Sequence, residues 1–152
     1  MAPYGEEGFS TLFDPNVLVE LVGVRRSMWV RILAEPGFNL KSMLVVESHD
    51  QVVGYSHFGS NDEDQTRGEV FGFYAHPRVW CTGMSSEMME ATLSELRSRS
   101  LRPVIIWTHA GGDRARAFYK KSGVVLTGRE RISTVNPGAR DVPEVEYSLN
   151  DV

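Results

Sequence analysis

The stretch HPRVWCTGMSSEMMEATL, from His76 to Leu93, passes from a β-rich run through a turn into a helical run. If Pro77 closes the strand and Met84 or Ser85 opens the helix, the N–H groups of about Cys81 to Ser85 gather at a positive helix end, an arrangement suited to diphosphate. An ordinary turn in which Gly83 merely allows a left-handed backbone accounts for the same residues. The Cys81 thiol beside that helix end is a candidate nucleophile, or simply a small residue in a tight turn. Asn61-Asp62-Glu63-Asp64 has the charge to attract a cationic amine, and equally reads as a solvated loop.

These groups need a scaffold, and the sequence describes one. Asp14-Pro15 is a helix-opening pair, and Val17, Leu18, Leu21, Val22, Met28, Trp29, Ile32 and Leu33 give a helix over 14–34. Met43–Ser48 and Val52–Ser60 form a hairpin about His49-Asp50-Gln51, and NDEDQTRG is expected to be an exposed loop. Gly68–Pro77 is a third strand. Met84–Leu101 is a helix with Met88, Met89, Thr92, Leu93 and Leu96 on one face. PVIIWTH, opened by Pro103, is a central strand covered on both faces. Asp113–Lys121 is a short helix with Ala117 and Phe118 inward, closed by Gly123. Val124–Arg131 and Val142–Leu149 complete a mixed α/β (α+β) sheet, joined by a loop with Asn136-Pro137-Gly138.

The chain has 152 residues, 41% hydrophobic and 24% charged, the composition of one globular domain spanning 1–152. Its net charge of −4, without a Lys/Arg tract, gives no footprint for nucleic acid. No apolar run is long enough to cross a membrane, and no secretory leader is evident, so a cytoplasmic setting is expected. One cysteine excludes an internal disulfide, and no metal site is expected.

DRARAFYKKSGVVL, Asp113 to Leu126, adds the feature that gives the first stretch meaning. Together the two stretches resemble the GNAT superfamily of N-acetyltransferases. That family carries a loop Q/R-x-x-G-x-G/A after a strand, and later N-x-x-A-x-x-F-Y-x-x-x-G. Here the loop is Trp80-Cys81-Thr82-Gly83-Met84-Ser85, and the later element aligns with Gly112, Ala115, Phe118, Tyr119 and Gly123. Gly83 keeps the central glycine. Trp80, Cys81 and Ser85 replace Gln/Arg, Gly and Gly/Ala, which adds side chains but keeps every amide.

The resemblance implies a mostly antiparallel sheet flanked by helices, with acetyl-CoA as co-substrate and an amine as acceptor. It implies that the 80–85 loop holds the diphosphate, and that backbone groups of Phe73, Tyr74 and Ala75 pair with the pantetheine arm. Tyr119 would protonate the departing thiolate, and Glu69, or alternatively His76, would take the amine proton. Arg114 and Arg116 would reach the cofactor's 3′-phosphate, or equally stand as solvated arginines on the helix face. A member that has lost transfer and only binds a ligand or partner is the competing expectation. The family fold begins with a strand and helix for which the residues before Asp14 leave no room, so either a shortened member or a sequence that starts downstream of the natural start is expected. Met43–Ser48 is then expected as an uncovered edge, and a homodimer through that edge follows.

Overall fold

The computed structural model describes residues 40–133 and 141–150. The expected helix over 14–34, the front of the chain and the Asn136-Pro137-Gly138 loop lie outside the described residues. Six strands build one sheet: β1 (Lys41–Ser48), β2 (Gln51–Ser60), β3 (Gly68–Ala75), β4 (Val104–His109), β5 (Val125–Ser133) and β6 (Val142–Leu149), with spatial order β1-β2-β3-β4-β6-β5. Every neighbouring pair is antiparallel except β3 and β4. Among the described residues two α-helices follow strands, α1 (Met84–Ser98) and α2 (Asp113–Lys121). This is the mixed, mostly antiparallel α/β arrangement that the sequence describes.

The core forms where α1 lies on the sheet. Its buried residues Met88, Met89, Thr92, Leu93 and Leu96 recur at three- and four-residue spacing, so one stripe of the helix meets the strands. Against them stand Phe58, Val70, Val104 and Ile106, alternate residues of their strands and all nearly inaccessible. The Thr92 hydroxyl donates to the Met88 carbonyl at 2.8 Å and accepts from the Ser56 hydroxyl at 2.8 Å, which satisfies two polar side chains inside this apolar layer.

Local details depart from the sequence expectation where a turn takes over. α1 ends at Ser98 rather than Leu101: Ser100 adopts φ 58°, and the Leu101 N–H returns to the Leu96 carbonyl at 3.1 Å. β3 stops at Ala75, and Pro77–Val79 form a 3-10 turn in which His76 Nδ1 accepts from the Arg78 N–H at 3.1 Å. In α2, Tyr119 is the buried residue, whereas Ala117 is exposed and Phe118 half-buried. The 61–67 loop is exposed over Asp62–Thr66, yet Asn61 at its start is buried. β4 is interior as expected, but among the described residues both helices contribute to the core on a single face.

One feature of the sheet creates a site. β3 and β4 pair only at Gly68↔Val104, Glu69↔Ile105 and Val70↔Ile106. Immediately beyond, Phe71 is an extra residue on β3, because His57 pairs with Gly72 and Phe58 with Val70. A bulge of this kind bends its strand and breaks the ladder. From there to Ala75, β3 keeps β2 as a partner and has none on its other side among the described strands.

Candidate functional site

A groove of about 410 Å³ lies between the end of β3, the turn that follows it, and α2. Phe73, Tyr74 and Ala75 form one wall; Trp80, Cys81, Gly83, Ser85 and Ser86 form the end; Arg114, Ala115, Phe118 and Tyr119 form the wall opposite, with Lys121 beside them. The lining contains two cations and no carboxylate, so its field favours an anionic guest. The structure therefore brings together most of the residues singled out from sequence. Thr82 and Met84 belong to the same turn without lining the groove, and Glu69 and Arg116 stand apart from it.

The turn is built by specific local bonds. Trp80 is pinned by its indole N–H, which donates to the Ala75 carbonyl at 2.8 Å, and the Thr82 hydroxyl donates to the Val79 carbonyl at 2.6 Å. Cys81 and Gly83 both lie in the left-handed region, at φ 61° and φ 89°. Gly83 meets this requirement without a Cβ; Cys81 meets it with one, at a cost of about 1–2 kcal/mol. This is the physical reason a glycine suits position 81. The first α1 bond runs from the Glu87 N–H to the Gly83 carbonyl at 3.1 Å. Among the described residues the N–H groups of Cys81, Thr82, Gly83, Ser85 and Ser86 have no acceptor, which leaves a cluster of donors at the positive end of a fifteen-residue helix.

Two arginines on α2 have opposite fates. The Arg114 guanidinium lies 3.6 Å from the centre of the Trp80 ring, bridging the groove from α2 to the turn. Stacked on an aromatic face, it keeps its in-plane N–H groups available. Arg116 instead donates through Nε to the Tyr147 hydroxyl at 3.2 Å and through Nη1 to the Ala110 carbonyl at 2.9 Å. Its guanidinium ties α2 to the sheet.

Tyr119 closes the inner end. Its ring is packed among Phe118, Tyr147 and Phe73, at centroid distances of 5.7, 6.1 and 6.5 Å. Burial, with a smaller contribution from nearby Tyr55, pushes its phenol well above the ordinary tyrosine range, so the hydroxyl stays protonated. Among the described residues it makes no hydrogen bond. It is thus a buried proton donor aimed at no protein acceptor.

Glu69 lies across the bulge from this groove. By register it shares a sheet face with Ile105, Trp107 and Glu146, the face turned away from the α1 core. The face is charged: Arg131 lies 4.3 Å over the Trp107 ring and ion-pairs with Glu144 at 2.6 Å, while buried Glu146 is held by Arg129 and the Thr127 hydroxyl, each at 3.0 Å. Glu69 itself is buried. Burial raises its pKa above the ordinary carboxylate value, opposed by a hydrogen bond from Asn61 and by the charge of Arg131. His76 caps the 3-10 turn through Nδ1 and is absent from the groove lining. Among the described residues no group of three or more His, Cys, Asp and Glu is placed to hold a metal ion. No described helix is long and apolar enough to cross a membrane.

A sheet parted after a short parallel contact, with a donor-rich turn at the opening and a tyrosine at its inner end, defines an acyltransferase-type fold. Residues 19–124 match the model of the acetyltransferase (GNAT) family. The chain belongs to that family. No curated protein matches the sequence. Among solved structures it is similar to the PaiA N-acetyltransferase from Thermoplasma acidophilum in complex with coenzyme A, with TM-score 0.73 and 10% identity over 95% of this chain and 86% of that one. It is also similar to an N-acetyltransferase from Staphylococcus aureus Mu50, with TM-score 0.65 and 16% identity over 85% of this chain and 76% of the other. A third likeness is to Ard1 from Thermoplasma volcanium, with TM-score 0.61 and 23% identity, over 73% and 71% of the two chains. At these identities the likeness is one of fold.

Proposed function

We propose that the protein transfers an acetyl group from acetyl-CoA to a primary amine of a small molecule or peptide. The observation that carries this reading is the groove itself: unpaired β3 on one wall, unbonded amides at its end, two cations and no carboxylate in its lining, and a protonated Tyr119 within. Coenzyme A bound to the Thermoplasma acidophilum relative supports the same donor here. The pantetheine arm would lie along Phe73–Ala75 as an added strand, and the diphosphate against the amides of 81–86. Arg114, with its N–H edge free of acidic partners among the described residues, would meet a phosphate.

In the reaction the amine must arrive neutral. Glu69, whose burial favours holding a proton, accepts it through a water from the sheet face opposite the core. The amine nitrogen then bonds to the thioester carbonyl carbon, the C–S bond breaks, and the sulfur leaves as thiolate. Tyr119 gives that thiolate its proton, yielding free CoA, and the surplus proton on the acylated nitrogen passes through water to the phenolate, which leaves the neutral amide and restores the phenol. Burial holds the resting phenol neutral, so it enters the cycle as a donor.

Thermal unfolding with acetyl-CoA, CoA and ATP as a control nucleotide tests the donor. At a hundredfold excess over Kd, binding stabilises by about 2.7 kcal/mol, or roughly 5–10 °C for a chain of this size. No shift at millimolar acetyl-CoA refutes the proposal. Arg114→Gln should weaken CoA about tenfold at low salt and by less at high salt, since screening already weakens the lost charge pair.

A further inference from the structure

The carboxylate of Glu69 is held from one side only. Asn61 Nδ2 donates to Glu69 Oε2 at 2.6 Å, both residues being buried. Among the described residues no donor reaches Oε1. The direction of the Asn61 amide is set by its other end, where Oδ1 accepts the N–H groups of Glu63 at 3.1 Å and Asp64 at 2.8 Å. Two backbone donors on Oδ1 leave Nδ2 no choice but to face the carboxylate.

The loop behind Asn61 is closed tightly enough to hold that direction. The Asn61 N–H donates to the Arg67 carbonyl at 2.9 Å, and the Arg67 N–H returns to the Asp64 carbonyl at 3.0 Å. Asp64 Oδ1 accepts both from the Thr66 N–H at 3.0 Å and from its hydroxyl at 2.6 Å. A loop that exists only to connect β2 to β3 would not need a buried amide at its root. This one carries a side chain that is itself clamped, and that clamps Glu69 in turn.

We propose that Asn61 is a positioning residue for the acyl transfer: it occupies Oε2 of Glu69 and so presents Oε1 alone to the incoming amine or its bridging water. This rests on the reading of Glu69 as the proton acceptor. Its consequence is directional. The amide favours the charged carboxylate and holds Glu69 below the pKa that burial alone would give it. The charged groups that face the carboxylate from other elements are Arg131 of β5 and Lys41 of β1, which act the same way, and Asp62 of the loop, which opposes them. Lys41 is itself paired with Asp62 at 3.0 Å, so much of their joint effect cancels.

Asn61→Asp is the decisive variant. It keeps an acceptor oxygen for the Glu63 and Asp64 N–H groups, so the loop retains its bonds, but it replaces the donor to Glu69 with a second carboxylate. Two carboxylates at that distance share a proton, and the Glu69 midpoint should rise by about two units. Asn61→Ser, which also keeps an acceptor for the loop but adds no charge, should raise it by less, about half to one unit. Carbon-13 carboxyl NMR of the full chain, with Glu69→Gln to assign the resonance, reads this without any acceptor present. The acidic limb of kcat/KM, measured with acetyl-CoA and either spermidine or an unblocked alanyl peptide, should move up by the same amount, while KM for acetyl-CoA holds. A midpoint unchanged in both variants overturns the clamp. A midpoint that moves while the acidic limb stays removes Glu69 from the reaction, and overturns the reading beneath this one while the clamp itself stands.

Discussion

Removing one oxygen from Tyr119 separates packing from chemistry. In Tyr119→Phe the ring stays, and with it the contacts to Phe118, Tyr147 and Phe73 at 5.7–6.5 Å. No partner is orphaned, because the hydroxyl makes no hydrogen bond among the described residues. Stability should therefore change by no more than about 1 kcal/mol in either direction, or a few degrees in Tm. Turnover should not be spared. The phenol is neutral and buried, so it can give its proton to a thiolate in a site where water is a poor substitute, and losing such a donor costs about 10²–10³ in kcat. That is about 2.7–4 kcal/mol of barrier, several times the stability change. The assay should follow acetylated product and free CoA by chromatography, since Cys81 is an exposed thiol that would consume thiol reagents. Calorimetric CoA affinity should be unchanged, placing the whole loss in kcat. A kcat within about twofold of the parent, with acyl transfer shown to be rate-limiting, would refute the donor role and leave Tyr119 as packing alone.

Cys81→Gly should stabilise the chain by about 0.5–1 kcal/mol, because relief of the left-handed Cβ at φ 61° exceeds the added entropy of glycine in the unfolded state; a chemical melt that shows a loss would refute the strain. His57 is buried and its pKa falls from 6.5 to about 4, so the unfolded chain takes up its proton first. The stability this gives is complete above pH 6.5 and is lost as pH falls toward 4. At pH 5 about 2 kcal/mol is gone, and urea melts at pH 5 and 7.5 should show that much less pH dependence in His57→Gln than in the parent. Glu69 acts in the opposite sense but is common to both proteins and cancels in the comparison.

What could be read before the structure was known divides by range. β4 reads out of VIIWTH, and α1 out of its Met and Leu spacing, because each is a local pattern. Gly83 and Gly123 were legible as punctuation, and both have positive φ, 89° and 85°. Arg114 and Arg116 could have been told apart as well: two residues apart on a helix, they point about 200° from each other, so one cannot share the other's groove. The bulge at Phe71 and the burial of Asn61 were not legible. Both arise from the β2–β3 register, which pairs residues distant in sequence, and Asn61 sits in a run whose other members are as solvated as their types suggest. Trp80 looked like a loss from the loop motif; only the structure reveals the guanidinium that lies on it.

The short parallel contact between β3 and β4 also makes the protein mechanically uneven. On one side stands a meander of β1, β2 and β3, on the other the trio of β4, β6 and β5, each laced along most of its length. Three residue pairs join the two leaves like the spine of a half-open book. Gly68 sits at that spine, where a Cβ would come within 3.2–3.4 Å of Val104, Leu96 and Leu101. A methyl group added there would press on core residues that hold the two leaves together, none of which lines the groove.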